Sequence, residues 1–423
     1  MPLPIHHLPV LQNWDCHVCG TCCQEYVVTV TDEERKRIEA QGWDRDADLG
    51  GHVPFVRQGP PWAREWRLNH RPDGSCVFLG DKGRCRIHER FGYETKPLPC
   101  RLFPFVLIPT GDHWSVGLRY ACPSAAANKG RPLPEHDQAL AEFAARLAER
   151  VHLKPLPDGS LAPPPPLQPG QNVSWPDVHR CVQALLTLLR NRREPLERRL
   201  RKCLALADQM RKAKLKHVQD ARLGDLLTVL QKSADTATPD NLMKVAAPGW
   251  IGRILFRQAV ALFTRKDHGP KRGEARHGAI ARLKAAWRFA RGTGPIPRMH
   301  DGLPETTFEE VEKPRGPLPL EAEAILERYY TIKVGSVQFC GAACFGMPFW
   351  EGFELLALTY PLLLWVSRMY RDIPREEAIM KALTIVDDHF GFNRILATQR
   401  QRASFRTLAR QGELPRLIAW YSR

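Results

Sequence analysis

Apolar positions recur at helical spacing through the middle of the chain. Val178, Cys181, Val182, Leu185, Leu186 and Leu189 share one face, and Leu196, Leu200, Cys203, Leu204 and Ala207 repeat the pattern. Pro195 between them marks a new helix start. Cys181 and Cys203 fall on these apolar faces and read as packed thiols. The most apolar stretch runs from Val337 to Val366, broken only by Glu351 and Glu354. Its longest uncharged run, Leu355–Val366, contains Pro361 and falls short of the roughly 20 residues a spanning helix needs. A buried helix is predicted there, with no transmembrane span. The first third has no long periodic segment. Tyr26–Thr31 alternates like a strand, and Thr31-Asp-Glu-Glu34 forms a capping box for a short helix to about Ala40. Phe103–Ile108 and Trp114–Leu118 read as a hairpin around Gly111 and Asp112, and Glu135–Val151 as a closing helix.

Two Pro-rich stretches punctuate this pattern. One spans Leu153–Pro176 and includes Pro163 to Pro166 in a row. The other spans Gly292–Pro319, with Pro295, Pro297, Pro304, Pro314, Pro317 and Pro319. The predicted organisation is a cysteine-cluster metal domain at 1–152, a linker at 153–176, a basic helical domain at 177–291, a second linker at 292–319 and a helical domain at 320–423. The fold class is therefore α+β, a small irregular cysteine-cluster domain followed by mainly α-helical domains. A length of 423 residues suits two or three domains at about 100–200 residues each.

Composition narrows the setting. Hydrophobic content of 43% with 26% charged residues excludes wholesale disorder. Met1 to Gly20 carries His6, His7 and Asp15 and no apolar run, so no secretory leader is expected. Twelve cysteines without a leader point to a reducing compartment and a cytoplasmic protein. The net charge of +16 is concentrated in two stretches. Arg190–Arg222 has twelve Lys or Arg against four acids, and Arg253–Arg298 has twelve against two. Both read as solvated helical surface in preference to a nucleic-acid site, since neither carries the interleaved exposed aromatics of a single-strand binder.

The densest chemistry is Cys16-x-x-Cys19-x-x-Cys22-Cys23, followed by Cys76, Cys85, Cys100 and Cys122. Thiolates are soft ligands that select zinc or iron, and a tetrahedral site needs four. Steps of three residues let Cys16, Cys19 and Cys22 converge, with Gly20 supplying the backbone reversal. Adjacent side chains diverge, so Cys23 serves a second site or a different iron of a cluster. Eight thiols match two four-ligand sites, or one iron–sulfur cluster plus structural cysteines. His88, three residues beyond Cys85, is a candidate nitrogen ligand.

The segments Cys16-His-Val-Cys-Gly-Thr-Cys-Cys23, Gly74-Ser-Cys-Val-Phe-Leu79, Gly83-Arg-Cys-Arg-Ile-His88 and Pro99-Cys-Arg-Leu-Phe-Pro104 resemble the YkgJ-type cysteine-cluster family. The resemblance covers about residues 14–125. It implies a zinc- or iron-chelating domain with Cys16, Cys19, Cys22, Cys23, Cys76, Cys85, Cys100 and Cys122 as metal ligands, and it leaves their pairing open. Because the family includes flagellin lysine-N-methylases, it also implies an alternative, a metal-dependent protein-lysine N-methyltransferase that binds S-adenosylmethionine and a protein substrate. No Gly-rich nucleotide loop supports that alternative, and the CxxxCxxC pattern of radical adenosylmethionine enzymes stops at Cys340 and Cys344, with Met347 third. A further candidate site combines Glu351 and Glu354, one helical turn apart, with Asp387-Asp388-His389 on a later helix, Cys340 and Cys344 being a thiol pair on one helical face.

Overall fold

The computed structural model describes residues 4–6, 12–213, 218–266 and 278–423. Lys214, Lys216, Lys271, Arg272 and Arg276 of the basic stretches lie outside the described residues.

The amino-terminal part is built from short strands. Thr29–Val30, Glu65–Leu68 and Phe55–Gln58 form an antiparallel sheet with Glu65–Leu68 in the middle. Its inner face meets the Asp32–Glu39 helix around Val30, Ile38, Leu49, Phe55, Leu68, Val77, Phe78 and Ile87. The capping box holds in both directions: the Glu34 amide donates to Thr31 Oγ1 at 3.2 Å, and the Thr31 amide to Glu34 Oε2 at 2.9 Å. The alternation over Tyr26–Thr31 yields only a two-residue strand, because this edge pairs with the middle strand at Thr29 and Val30 alone.

The hairpin forms as Phe105–Pro109 against Trp114–Leu118, with Ile5–His6 added in parallel to the second strand. All five residues of Trp114–Leu118 are buried, so this sheet belongs to a different core from the first. That core runs on through helices Trp175–Leu189, Leu196–Lys212, Leu320–Gly335, Phe349–Ser367 and Arg375–His389 and ends at Tyr421. Cys181 and Cys203 are fully enclosed in it. The Phe349–Ser367 helix is the one described helix long and apolar enough to cross a membrane, and 89% of its apolar window is buried inside the protein. Pro361 lies inside it. The Pro163–Pro166 run packs on the start of this helix: the Phe349 amide donates to the Pro166 carbonyl at 2.8 Å and the Trp350 amide to Leu167 at 3.3 Å.

Much of the first basic stretch is paired with neighbouring acids. Arg199, 1% exposed, pairs with Glu323 at 2.8 Å and Glu327 at 3.0 Å, Arg201 with Glu197 at 2.7 Å, and Lys202 with Glu194 and Asp235. Arg199 and Lys202, which look like surface in the sequence, bind their helix to its neighbours, while Arg201 pairs within it.

Candidate metal centre

Seven of the eight predicted ligands, Cys16, Cys19, Cys22, Cys23, Cys85, Cys100 and Cys122, line one cavity of about 380 Å³. They arrive from four separate segments. Gly20, at φ +70°, heads the Thr21–Glu25 helix, and the Cys23 amide donates to the Gly20 carbonyl at 3.0 Å, which turns Cys22 and Cys23 inward. Gly83, at φ +73°, seats the next turn on the first: a Cβ there would stand 2.5 Å from the Val18 carbonyl oxygen. That close approach delivers Cys85 to the cavity at the head of the Arg86–Phe91 helix. Cys100 sits on the Leu98–Leu102 helix and Cys122 caps Pro123–Ala126.

Cys76 is buried beside the cavity and its amide donates to the Cys23 carbonyl at 2.7 Å. Its thiol interacts electrostatically with Cys100 and Cys85. Cys22, Cys23, Cys76, Cys85 and Cys100 therefore form an electrostatically linked inner group, while Cys19 acts weakly on Cys122. Cys16 and Cys19 are exposed, so the cavity opens to solvent.

The surroundings favour neutral thiols in the metal-free protein. A hydrogen bond to Cys23 and then burial raise the Cys22 thiol, burial raises Cys76, and burial pushes Cys100 up to about 12. Burial also raises Cys122, against the helix amides of Ala125 and Ser124. Lys96 reaches into the inner group. Burial works against its charge, and whichever of Cys100, Cys85, Cys22 and Cys23 ionises draws its ammonium above the ordinary value. By donor chemistry the residues fit a soft cation, which would favour the thiolates that burial disfavours. Among the described residues no group of three or more Cys, His, Asp or Glu is drawn to metal-binding spacing.

His88 lines the same cavity, its ring edge-on to Tyr93 at 5.5 Å. His17, not singled out by spacing, is there too, with Nδ1 2.9 Å from the Asp15 carbonyl and 3.2 Å from Ser124 Oγ. Lys96 was equally invisible in the sequence, since nothing in its neighbourhood separates it from a surface lysine.

The other candidate site does not assemble. Glu351 Oε2 accepts from Arg406 at 2.9 Å, and Glu354 Oε1 from Arg211 at 2.5 Å. Asp387 turns the other way, into a fully buried pair with Lys333 at 2.7 Å. Its Oδ2 accepts from the amides of Tyr120 at 2.5 Å and Ala121 at 3.3 Å, while Lys333 donates to the Leu118 carbonyl at 3.1 Å. Asp388 pairs with Arg119 at 2.9 Å and with Lys266 at 2.7 Å, and Lys266 reaches Glu25 at 2.8 Å. These acids hold the segment leading into Cys122 and the helix carrying Cys22 and Cys23 against the helical core. Cys340 and Cys344 are buried in a tight loop closed by Gly341, not on one helical face, and Cys344 Sγ lies 3.9 Å from Met347 Sδ.

No curated protein and no solved structure matches the chain. Residues 15–124, which contain all eight clustered cysteines, match the family model CxxCxxCC, described as a putative zinc- or iron-chelating domain.

Proposed function

We propose that this chain is a cytoplasmic metal-binding protein that holds iron or zinc through Cys16, Cys19, Cys22, Cys23, Cys76, Cys85, Cys100 and Cys122 and serves as a metal-binding or redox accessory module. The carrying observation is that seven thiols from four segments line one cavity with the eighth against its wall. Eight thiols are twice the need of one tetrahedral ion, which favours two ions or an iron–sulfur cluster. Bound iron–sulfur would supply one-electron chemistry, and zinc would supply a structural cross-link. Lys96 would offset the negative charge of the assembled thiolates. The Glu351, Glu354, Asp387 and Asp388 carboxylates are engaged by Arg and Lys partners, so nothing at that site favours the lysine N-methylase alternative or a site for S-adenosylmethionine.

Metal content after anaerobic purification tests the proposal. The expected result is at least two metal equivalents per chain. About four irons with matching sulfide and a broad band near 400 nm would mark a cluster, and colourless protein with about two zincs would mark closed thiolate sites. Metal-free protein that stays metal-free when iron or zinc is supplied under reducing conditions would overturn it.

A further inference from the structure

The second basic stretch differs from the first. In Ala279–Arg291 the residues Ala285 and Phe289 are buried, with Phe289 packed edge-on to Phe308 at 5.4 Å. The helix also has an opposite apolar face. Ile280, Leu283 and Trp287 are 73%, 72% and 60% exposed, and at 100° per residue they fall within an arc of roughly 60°. A soluble helix buries one stripe; a second stripe of large apolar side chains turned to water marks a contact surface. The absence of exposed aromatics expected from the sequence fails at Trp287.

Charge selects the partner. The helix has Arg282, Lys284, Arg288 and Arg291 and no acid. Arg282, Lys284 and Arg288 make no ion pair among the described residues, unlike the cations of Leu196–Lys212. Lys284, Arg288 and Arg291 project beside the apolar stripe, and the Arg291 guanidinium stacks over the Trp287 ring at 5.4 Å. On the Trp250–Thr264 helix, which packs against Ala279–Arg291, Trp250 is 74% exposed. An apolar stripe ending in tryptophan and flanked by unpaired cations is the make-up of a helix lying in a membrane interface, with aliphatic chains below headgroup level and cations among lipid phosphates. A nucleic acid would meet the cations and leave Ile280 and Leu283 in water.

We infer that the Ala279–Arg291 helix docks this protein on an anionic lipid surface. The test is co-sedimentation of the purified full chain with vesicles of phosphatidylcholine alone or with about 30% phosphatidylglycerol. Wild type is expected to sediment with the anionic vesicles and not with the neutral ones. Leu283→Ser combined with Trp287→Ser keeps every charge, alters only exposed side chains, and should weaken binding about tenfold or more. Lys284→Gln with Arg288→Gln should weaken it and flatten its salt dependence. Three results would overturn the inference: no sedimentation of wild type, unchanged binding by the serine variant, or binding to duplex DNA that needs Leu283 and Trp287 as much as vesicle binding does.

Discussion

A single hydrogen atom on Gly83 decides whether two cysteine turns can touch. With φ at +73° and the Val18 carbonyl 2.5 Å from where a Cβ would stand, Gly83→Ala meets rigid backbone and a disfavoured conformation together. The expected cost is about 1–3 kcal/mol, borne by the seating of Cys85 beside Cys22 and Cys100. Metal content of the variant should fall at least by half while its helical circular dichroism is retained; full metal loading would show that the turn is not needed to build the centre. Glu354 makes a second case at this scale. Burial lifts its carboxyl to about 7 despite Arg211. A folded value above the unfolded one of about 4.5 means that the stabilising contribution is complete below the unfolded value and is lost as pH rises through 7. Wild-type stability should therefore decline between pH 5 and 8 by up to about 3 kcal/mol from this group, and Glu354→Gln should flatten that portion of the curve. An unaltered slope in the variant, followed by urea unfolding across pH, would remove Glu354 as its source.

Among elements, the helix Arg375–His389 does what its sequence hides. Asp387-Asp388-His389 looks like ligand chemistry, yet its two acids pin different parts of the cysteine domain, Asp387 through backbone amides and Asp388 through Arg119 and Lys266. The reason is partner choice: Lys333 lies 54 positions before Asp387, and no local pattern announces that their helices bring them together. Patterns confined to one element, or to two joined by a short turn, were legible. The capping box at Thr31, the Phe105–Leu118 hairpin, the buried Phe349–Ser367 helix and the packed thiols Cys181 and Cys203 follow from spacing alone. What needed the fold were the relations between elements distant in sequence, including the pairing of Arg199 and Lys202 with acids of other helices and the second role of Glu34, whose Oε1 accepts the Leu98 amide at 2.6 Å near Cys100. The Lys333–Asp387 pair gives a measurable consequence. Removing one partner strands a buried charge, at about 3–5 kcal/mol. Lys333→Met and Asp387→Asn should each lower stability to urea by that order, and the double variant should lose clearly less than their sum. Strict additivity would mean that the two charges do not sense each other.

Over the whole molecule, two cores of unequal size share the burden. The large one runs from Trp14 to Tyr421 and takes in the hairpin and the helices. The small one holds nine buried residues, from Val30 to Ile87, with Cys76 inside it and Cys23, Cys85 and Cys100 packed on its edge. A core of that size contributes little stability by itself, and small domains of this kind depend on cross-links or metals. The thiol cavity lies where such a cross-link would act, joining the small core to the Cys122 segment held by Asp387. Metal removal should therefore loosen one part of the protein and spare the other. After treatment with a strong chelator under reducing conditions, amide exchange in Asp32–Glu39 and Glu65–Leu68 should accelerate at least about tenfold. Exchange in Trp114–Leu118 and Phe349–Ser367, which belong to the large core, should stay as slow as before. Equal acceleration in both cores would mean that the metal supports the entire fold. No acceleration in the small core would mean that its nine residues hold without the metal, and that the thiol cavity serves chemistry alone.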